Sequence, residues 1–158
     1  MVGCAPLVEN IATLIEPPAS SLSEADWIAA ILKRSGCELL LDLHNVYANG
    51  LNHGYDPRDF LQRIPPERIR AIHLAGGKWI PSPGGGRRLL DDHLHDVPGE
   101  VYHLLEEVAA VAPNPLTVIL ERDGCYPSMQ DLLSELGRAR AALGRGRVRQ
   151  TQSAEMAL

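Results

Sequence analysis

The stretch ELLLDLHNVYANGLNHGYDP, Glu38 to Pro57, decides how the whole chain reads. It opens as an apolar run with the character of a buried strand, then sets down Asp42, His44, Asn45 and His53 in quick succession. Donor atoms placed where a core strand ends point to a functional rim, because parallel α/β folds build their sites beyond the C-terminal ends of the strands. Three other runs share the apolar character: APLVEN (Ala5–Asn10), IRAIHLAG (Ile69–Gly76) and LTVILERDG (Leu116–Gly124). Nearly continuous Leu, Val and Ile without polar alternation is the pattern of a parallel sheet buried on both faces.

Helical segments separate these runs. SEADWIAAILKRSG has Ser23 as N-cap with Asp26 three residues on, places Trp27, Ile28, Ile31 and Leu32 on one face, and stops at Gly36. DPRDFLQRI starts at Asp56 with Pro57 in the first helical position. PGEVYHLLEEVAAVA carries Val101, Leu104, Leu105 and Val108 on one stripe. SMQDLLSELGRARAAL opens with Ser128 and Asp131 as a second capping box and aligns Leu132, Leu133 and Leu136. The expected order is therefore β-α-β-α-β-α-β-α, with about four parallel strands in an α/β fold. The glycine-rich PSPGGGRR (Pro81–Arg88) opens no helix and reads as part of a long flexible loop. Ordered structure is expected over residues 1–143, with a disordered tail over 144–158.

The chain has 158 residues, a net charge of −5 and three cysteines, Cys4, Cys37 and Cys125. That is enough for one domain with a core. An odd, unpatterned cysteine set excludes a disulfide framework and a cysteine-rich zinc knuckle, and makes a reduced cytoplasmic setting the expectation. The acidic balance speaks against a nucleic-acid partner. The arginines at 138, 140, 145, 147 and 149 read as a solvated face and a frayed end. No membrane-length apolar stretch and no signal-peptide pattern is visible. Neither GxGxxG after the first strand nor GxxxxGK[ST] occurs, so a dinucleotide or P-loop site has no support.

On this frame Glu9 ends the first strand, Asp42 the second, His73 the third and Glu121 the fourth. Asn45 follows Asp42, Asp123 follows Glu121, and the loop after the third strand carries DDHLHD with His93 and His95. Strand period is two, so Asp42 with His44 and Glu121 with Asp123 share faces. Carboxylates, imidazoles and an amide converging at one rim would repel or be desolvated without a cation. His53 reads as a turn residue, and His103, inside a helix, is assigned no role. Imidazole and carboxylate without thiolate suit iron, manganese or zinc, and bridging-capable carboxylates favour more than one ion.

LVEN, LLLDLHNVYANGLNHGYDP, IHLAGG, DDHLHDVP and VILERD resemble, in order and spacing, the multinuclear non-haem iron-dependent oxidase family, the TIM-barrel family that includes the methanobactin-biosynthesis oxidase. The resemblance runs from about Leu7 to about Leu143, and its most specific block is LDLHNVY…NHGYDP. It implies a barrel with two or three iron ions at its C-terminal face. It also implies oxidation of cysteine in a ribosomally made precursor peptide by dioxygen, with a small partner protein presenting the peptide. Carried over by position, Glu9, Asp42, Asn45, His73, His95 and Glu121 match metal ligands, and Asp123 matches an acidic residue suited to proton transfer. The family commonly has Asp two residues before the loop histidine, where His93 stands, and Asn where this chain has His44. Both departures leave His93 as a candidate ligand and the number of ions open.

A whole TIM barrel takes roughly 250 residues. The four β-α units here correspond, on the resemblance, to the C-terminal half. A half-barrel would expose two unpaired edges and an apolar inner face, so a second copy or a separate N-terminal half-barrel is an expected partner. Two rival readings stand beside this one. The strand-end pattern also resembles the xylose-isomerase-like barrels, which makes a zinc phosphoesterase or endonuclease the first. An inactive half-barrel serving as a binding or scaffold piece is the second.

Overall fold

Four parallel strands form the sheet, in the order β1 (Leu7–Glu9), β2 (Glu38–Asp42), β3 (Ile69–Leu74) and β6 (Thr117–Leu120). The structure is a computed structural model, and it describes residues 6–15 and 18–156. Ala5, the expected start of the first strand, and Cys4 lie outside the described residues. Strands and helices alternate through α1 (Glu24–Ser35), α2 (Leu43–His53), α3 (Pro57–Arg63), α4 (Gly99–Val111) and α5 (Met129–Met156). A short 3-10 turn, Pro66–Arg68, leads into β3. This is the architecture of half a (β/α) barrel, as the sequence leads one to expect.

The capping residues act as their spacing predicts. The Ser23 hydroxyl oxygen accepts from Asp26 N (3.1 Å), its O–H donates to the Asp26 carboxylate (2.7 Å), and Gly36 closes α1 at φ 73°. Ser128 and Asp131 make the same exchange at the start of α5. The stripe of α4 is buried throughout. Two other stripes differ in detail. Trp27 is 57% exposed, so α1 packs through Ala25, Ile28 and Leu32. Leu133 is also exposed, and α5 packs through Glu135, which accepts from Val97 N, and through Ala139, Ala142 and Gly146, whose small size lets it lie close against α4.

The sheet is buried on one face only. Leu39, Leu41, Ile72 and Leu74 face the helices and are fully buried. The other face carries Leu40, His73 and Ile119, and remains partly open. Continuous apolar strands had suggested cover on both sides, but that second face is the one a closed barrel turns toward its interior. Leu41→Ala is expected to destabilise the fold by about 2–5 kcal/mol, read as a lower denaturant midpoint with an unchanged slope.

Three segments depart from expectation. The residues after Asp42 are helical: α2 runs to His53 and ends at Gly54, φ 78°. The glycine-rich piece is no flexible loop but the turn of an antiparallel hairpin, β4 (Gly77–Pro81) with β5 (Arg87–Asp91). Gly84, Gly85 and Gly86 all take positive φ (98°, 100° and 79°), which is why the turn needs glycine there. The chain beyond Leu143 is ordered helix through Met156. Arg147 donates to the carbonyls of Ala109, Ala112 and Asn114 and so satisfies the end of α4, while Arg145 and Arg149 pair with Glu106. Part of the arginine run is therefore a fastening between helices and not a frayed end.

Candidate metal centre

Register explains how four distant residues meet. Glu9 pairs with Leu40, Asp42 with His73, and His73 with Ile119. Leu40 and Asp42 are two residues apart and share a face, as do Ile119 and Glu121. Backbone pairing continues one step past β6, where Glu121 N donates to Leu74 O (2.9 Å). Glu9, Asp42, His73 and Glu121 thus come from four adjacent strands onto one face at the C-terminal rim. His73 Nδ1 lies 3.1 Å from Glu9 Oε1, 3.0 Å from Glu121 Oε2 and 4.0 Å from Asp42 Oδ2.

Asp42 does two jobs. As the N-cap of α2, its Oδ1 accepts from Asn45 N (2.7 Å). Its Oδ2 is buried without a hydrogen-bond partner and faces the cluster. Burial, reinforced by the nearby carboxylates Asp91 and Glu9, pushes its pKa up to about 7 against the pull of the Asn45 bond. Asn10 clamps the same corner, donating to Asp42 O and accepting from Asp42 N (both 2.9 Å). Asn45 donates to Asn10 O (3.1 Å), which leaves its Oδ1 buried and unpartnered beside the cavity.

The hairpin supplies the remaining wall. A cavity of about 440 Å³ is lined by Glu9, Asp42, Asn45, His73, Asp91, His93 and Glu121, with Ile11, Ala12, Leu14, Leu89 and Leu90 as its apolar side. No lysine or arginine lines it among the described residues. His93 Nε2 bonds Asp91 Oδ2 (2.9 Å), and its Nδ1 lies 3.5 Å from Glu121 and 3.3 Å from Asp123. Burial works against the charged form of His93, yet Asp91, Glu121 and Asp42 outweigh it and hold its pKa above the ordinary value.

Two sets of donor atoms are close enough to hold an ion: Glu9, Asp42 and His73, and Asp42, His93 and Glu121, the atoms of each set lying within 4.8 Å of one another. Asp42 belongs to both. Buried, unpartnered Asp42 Oδ2, Asn45 Oδ1 and His73 Nδ1 are what a cation would satisfy, so the donor set fits a metal.

His95 is not brought to the cavity. Its ring bonds Asp92 (2.9 Å), and its side chain is 46% exposed. Asp123 stands at the mouth, 65% exposed. His53 bonds the Thr13 carbonyl across to α2 (3.1 Å). Asp91 is the residue sequence reasoning missed. It stands two residues before His93, so the Asp-x-His spacing is present one step earlier than counting back from His95 suggests. The signal was there in the RRLLD run, which reads as a strand ending in a carboxylate.

The family described as "RiPP precursor modification enzyme MbnB/TglH/ChrH" matches residues 1–144. The chain belongs to this family. Relatives of the MbnB/TglH/ChrH family chain include UPF0276 proteins of Bordetella pertussis (41% identical over 140 residues, 89% of this chain and 48% of the relative) and Caulobacter vibrioides (38% over 141 residues, 89% and 48%). A UPF0276 protein of Shewanella amazonensis is 36% identical over 134 residues, covering 85% and 46%. The chain spans about half the length of the curated relatives it matches. No helix among the described residues is long and apolar enough to cross a membrane.

Proposed function

We propose that this chain carries the metal-binding rim of a non-haem iron oxidase that modifies cysteine in a ribosomally made precursor peptide. The observation that supports it most is the convergence of Glu9, Asp42, His73 and Glu121, one from each of four neighbouring strands, with His93 from the hairpin side. These five, with Asn45, would hold the ions. Two donor sets sharing Asp42 suit more than one ion. Bound iron would supply the redox chemistry for reaction with dioxygen.

The chain's own residues supply the rest. Ile11, Ala12, Leu14, Leu89 and Leu90 form an apolar wall against which a small side chain can be held out of water. Asp123, exposed at the mouth and 3.3 Å from His93 Nδ1, is placed to exchange a proton with bulk solvent. Among the described residues no lysine or arginine lines the cavity, so a phosphodiester would have only the bound ions as cationic partners, which ranks the zinc phosphoesterase reading second. Among the described residues β1 and β6 have no strand on their outer sides, so a second copy or a separate half-barrel completes the site in this proposal, alongside the precursor peptide and a small presenting protein. A reducing, cytoplasmic setting goes with it.

Purification with and without air, followed by elemental analysis and mass measurement of the assembly, tests the reading. Coloured protein with more than one iron per chain is expected. Colourless protein retaining zinc in both preparations would transfer the site to hydrolysis, and a metal-free monomer would leave the scaffold reading.

A further inference from the structure

We infer that His44, which does not line the metal-site cavity, is a positioning residue that sets the direction of His93 through Asp91, an inference that rests on the metal-site reading above. His44 sits in the first turn of α2 and is fully buried. Its Nδ1 lies 2.7 Å from Asp91 Oδ1. The other oxygen of Asp91 is the one that bonds His93 Nε2 (2.9 Å). One carboxylate is thus gripped by an imidazole on each oxygen, the buried one behind and the cavity-lining one in front.

Two observations separate this from an ordinary core histidine. The first is that His44 Nε2 is buried with no hydrogen-bond partner. The ring packs on Gly77, where an added Cβ would lie 2.7 Å from His44 Cε1 and 3.1 Å from Nε2. An apolar side chain would fill that space without an orphaned acceptor, so what the imidazole adds is the bond to Asp91. The second is the backbone of His93, which takes φ 54°, in the left-handed region. Few non-glycine residues take that conformation, although histidine does so more readily than most. Here Asp123 N donates to His93 O (3.0 Å) and Asp91 holds the ring.

The consequence is chemical. With Nε2–H donated to Asp91, His93 keeps the lone pair of Nδ1 turned toward Glu121 and the shared donor set. Asp91 itself lines the cavity beside His93, so fixing its carboxylate fixes both side chains at the edge of the donor set, and support of that kind tunes metal affinity. In this chain that carboxylate is itself fixed, by His44 donating Nδ1–H.

Cobalt(II) titration of the full chain, followed by visible absorbance, tests the inference in a double-mutant cycle of wild type, His44→Ala, Asp91→Asn and the pair. His44→Ala is expected to weaken cobalt binding by about 10–100-fold. Asp91→Asn should do likewise, and the double variant should bind within about 2-fold of Asp91→Asn alone, because both act through one connection. His44→Gln, with an amide N–H to offer Asp91, should recover most of the affinity. Thermal melts of the metal-free variants check folding; if His44→Ala does not melt cooperatively, the cycle is read with His44→Leu, which fills the space without a donor. Unchanged cobalt affinity in the His44 variant, or losses that multiply in the double variant, overturns the inference while leaving the metal site standing. A wild-type chain that takes up no cobalt overturns both.

Discussion

Replacing His73 with Ala is expected to weaken metal binding by more than about 100-fold, a larger loss than removing any residue that acts from outside the donor set. His73 is the nitrogen on which Glu9 and Glu121 converge at 3.1 and 3.0 Å. Without it one donor set loses its only imidazole, and the carboxylates of Glu9, Asp42 and Glu121 are left facing one another across the cavity. His95→Ala is the informative control. By family position His95 is a ligand, but its ring is turned to Asp92 and half exposed, so its removal should change metal affinity by no more than about 2-fold. Isothermal titration of both variants with ferrous iron under anaerobic conditions decides the matter. Equal losses would return His95 to the ligand set and require the loop to rearrange on binding.

Asp42→Asn should abolish metal uptake and, in the metal-free chain, remove a pH dependence of stability. Burial raises the Asp42 pKa to about 7, whereas an unfolded aspartate titrates near pH 4. Below about pH 4 both states hold the proton and the group adds no slope. Between about pH 4 and 7 the unfolded chain gives up a proton that the folded chain keeps, so stability falls as pH rises, by up to about 4 kcal/mol. His93, whose pKa is raised, acts in the same direction, since its contribution is lost as pH climbs through its folded value. Asparagine keeps the cap on α2, because its side-chain oxygen can accept from Asn45 N as Asp42 does now. Denaturant midpoints at pH 4.5 and 7.5 should therefore diverge in the wild type and draw together in Asp42→Asn. A divalent cation should stabilise the wild type at pH 7.5 and leave the variant unmoved. Matching slopes in both proteins would clear Asp42 as the source.

Strands and caps were legible in the sequence because they are local. Apolar runs, Ser23 with Asp26, Ser128 with Asp131 and the glycine stop at Gly36 each carry their instruction within a few residues. The meeting of Glu9, Asp42, His73 and Glu121 was legible too, since a parallel sheet brings strand ends to one rim whatever the loops do. What escaped notice depended on contacts remote in sequence. Helix α2 follows β2 directly, with Asp42 both ending the strand and capping the helix, so no turn residues announce its start; its face toward the rest of the fold is marked by the amides Asn45, Asn49 and Asn52. Those amides stitch it to Asn10, Ile11 and Leu89. The hairpin hid behind its glycines, and Asp91 and the true neighbours of His95 were hidden with it. The helix past Leu143 is held by carbonyls at the end of α4, more than thirty residues earlier in the chain, which no local pattern reveals.

Glu9 ends one outermost strand of the sheet and Glu121 directly follows the other, and both lean on the same imidazole of an inner strand. Ions held in the two donor sets, one with Glu9 and one with Glu121, would together rivet the margins of the sheet. β1 is a three-residue strand with a neighbour on one side only, so the rivet would supply much of what keeps it seated. On the proposed reading, loading the chain with metal and seating the outer strands would then be one event, and the rim would be ready to receive another chain only once the ions are in.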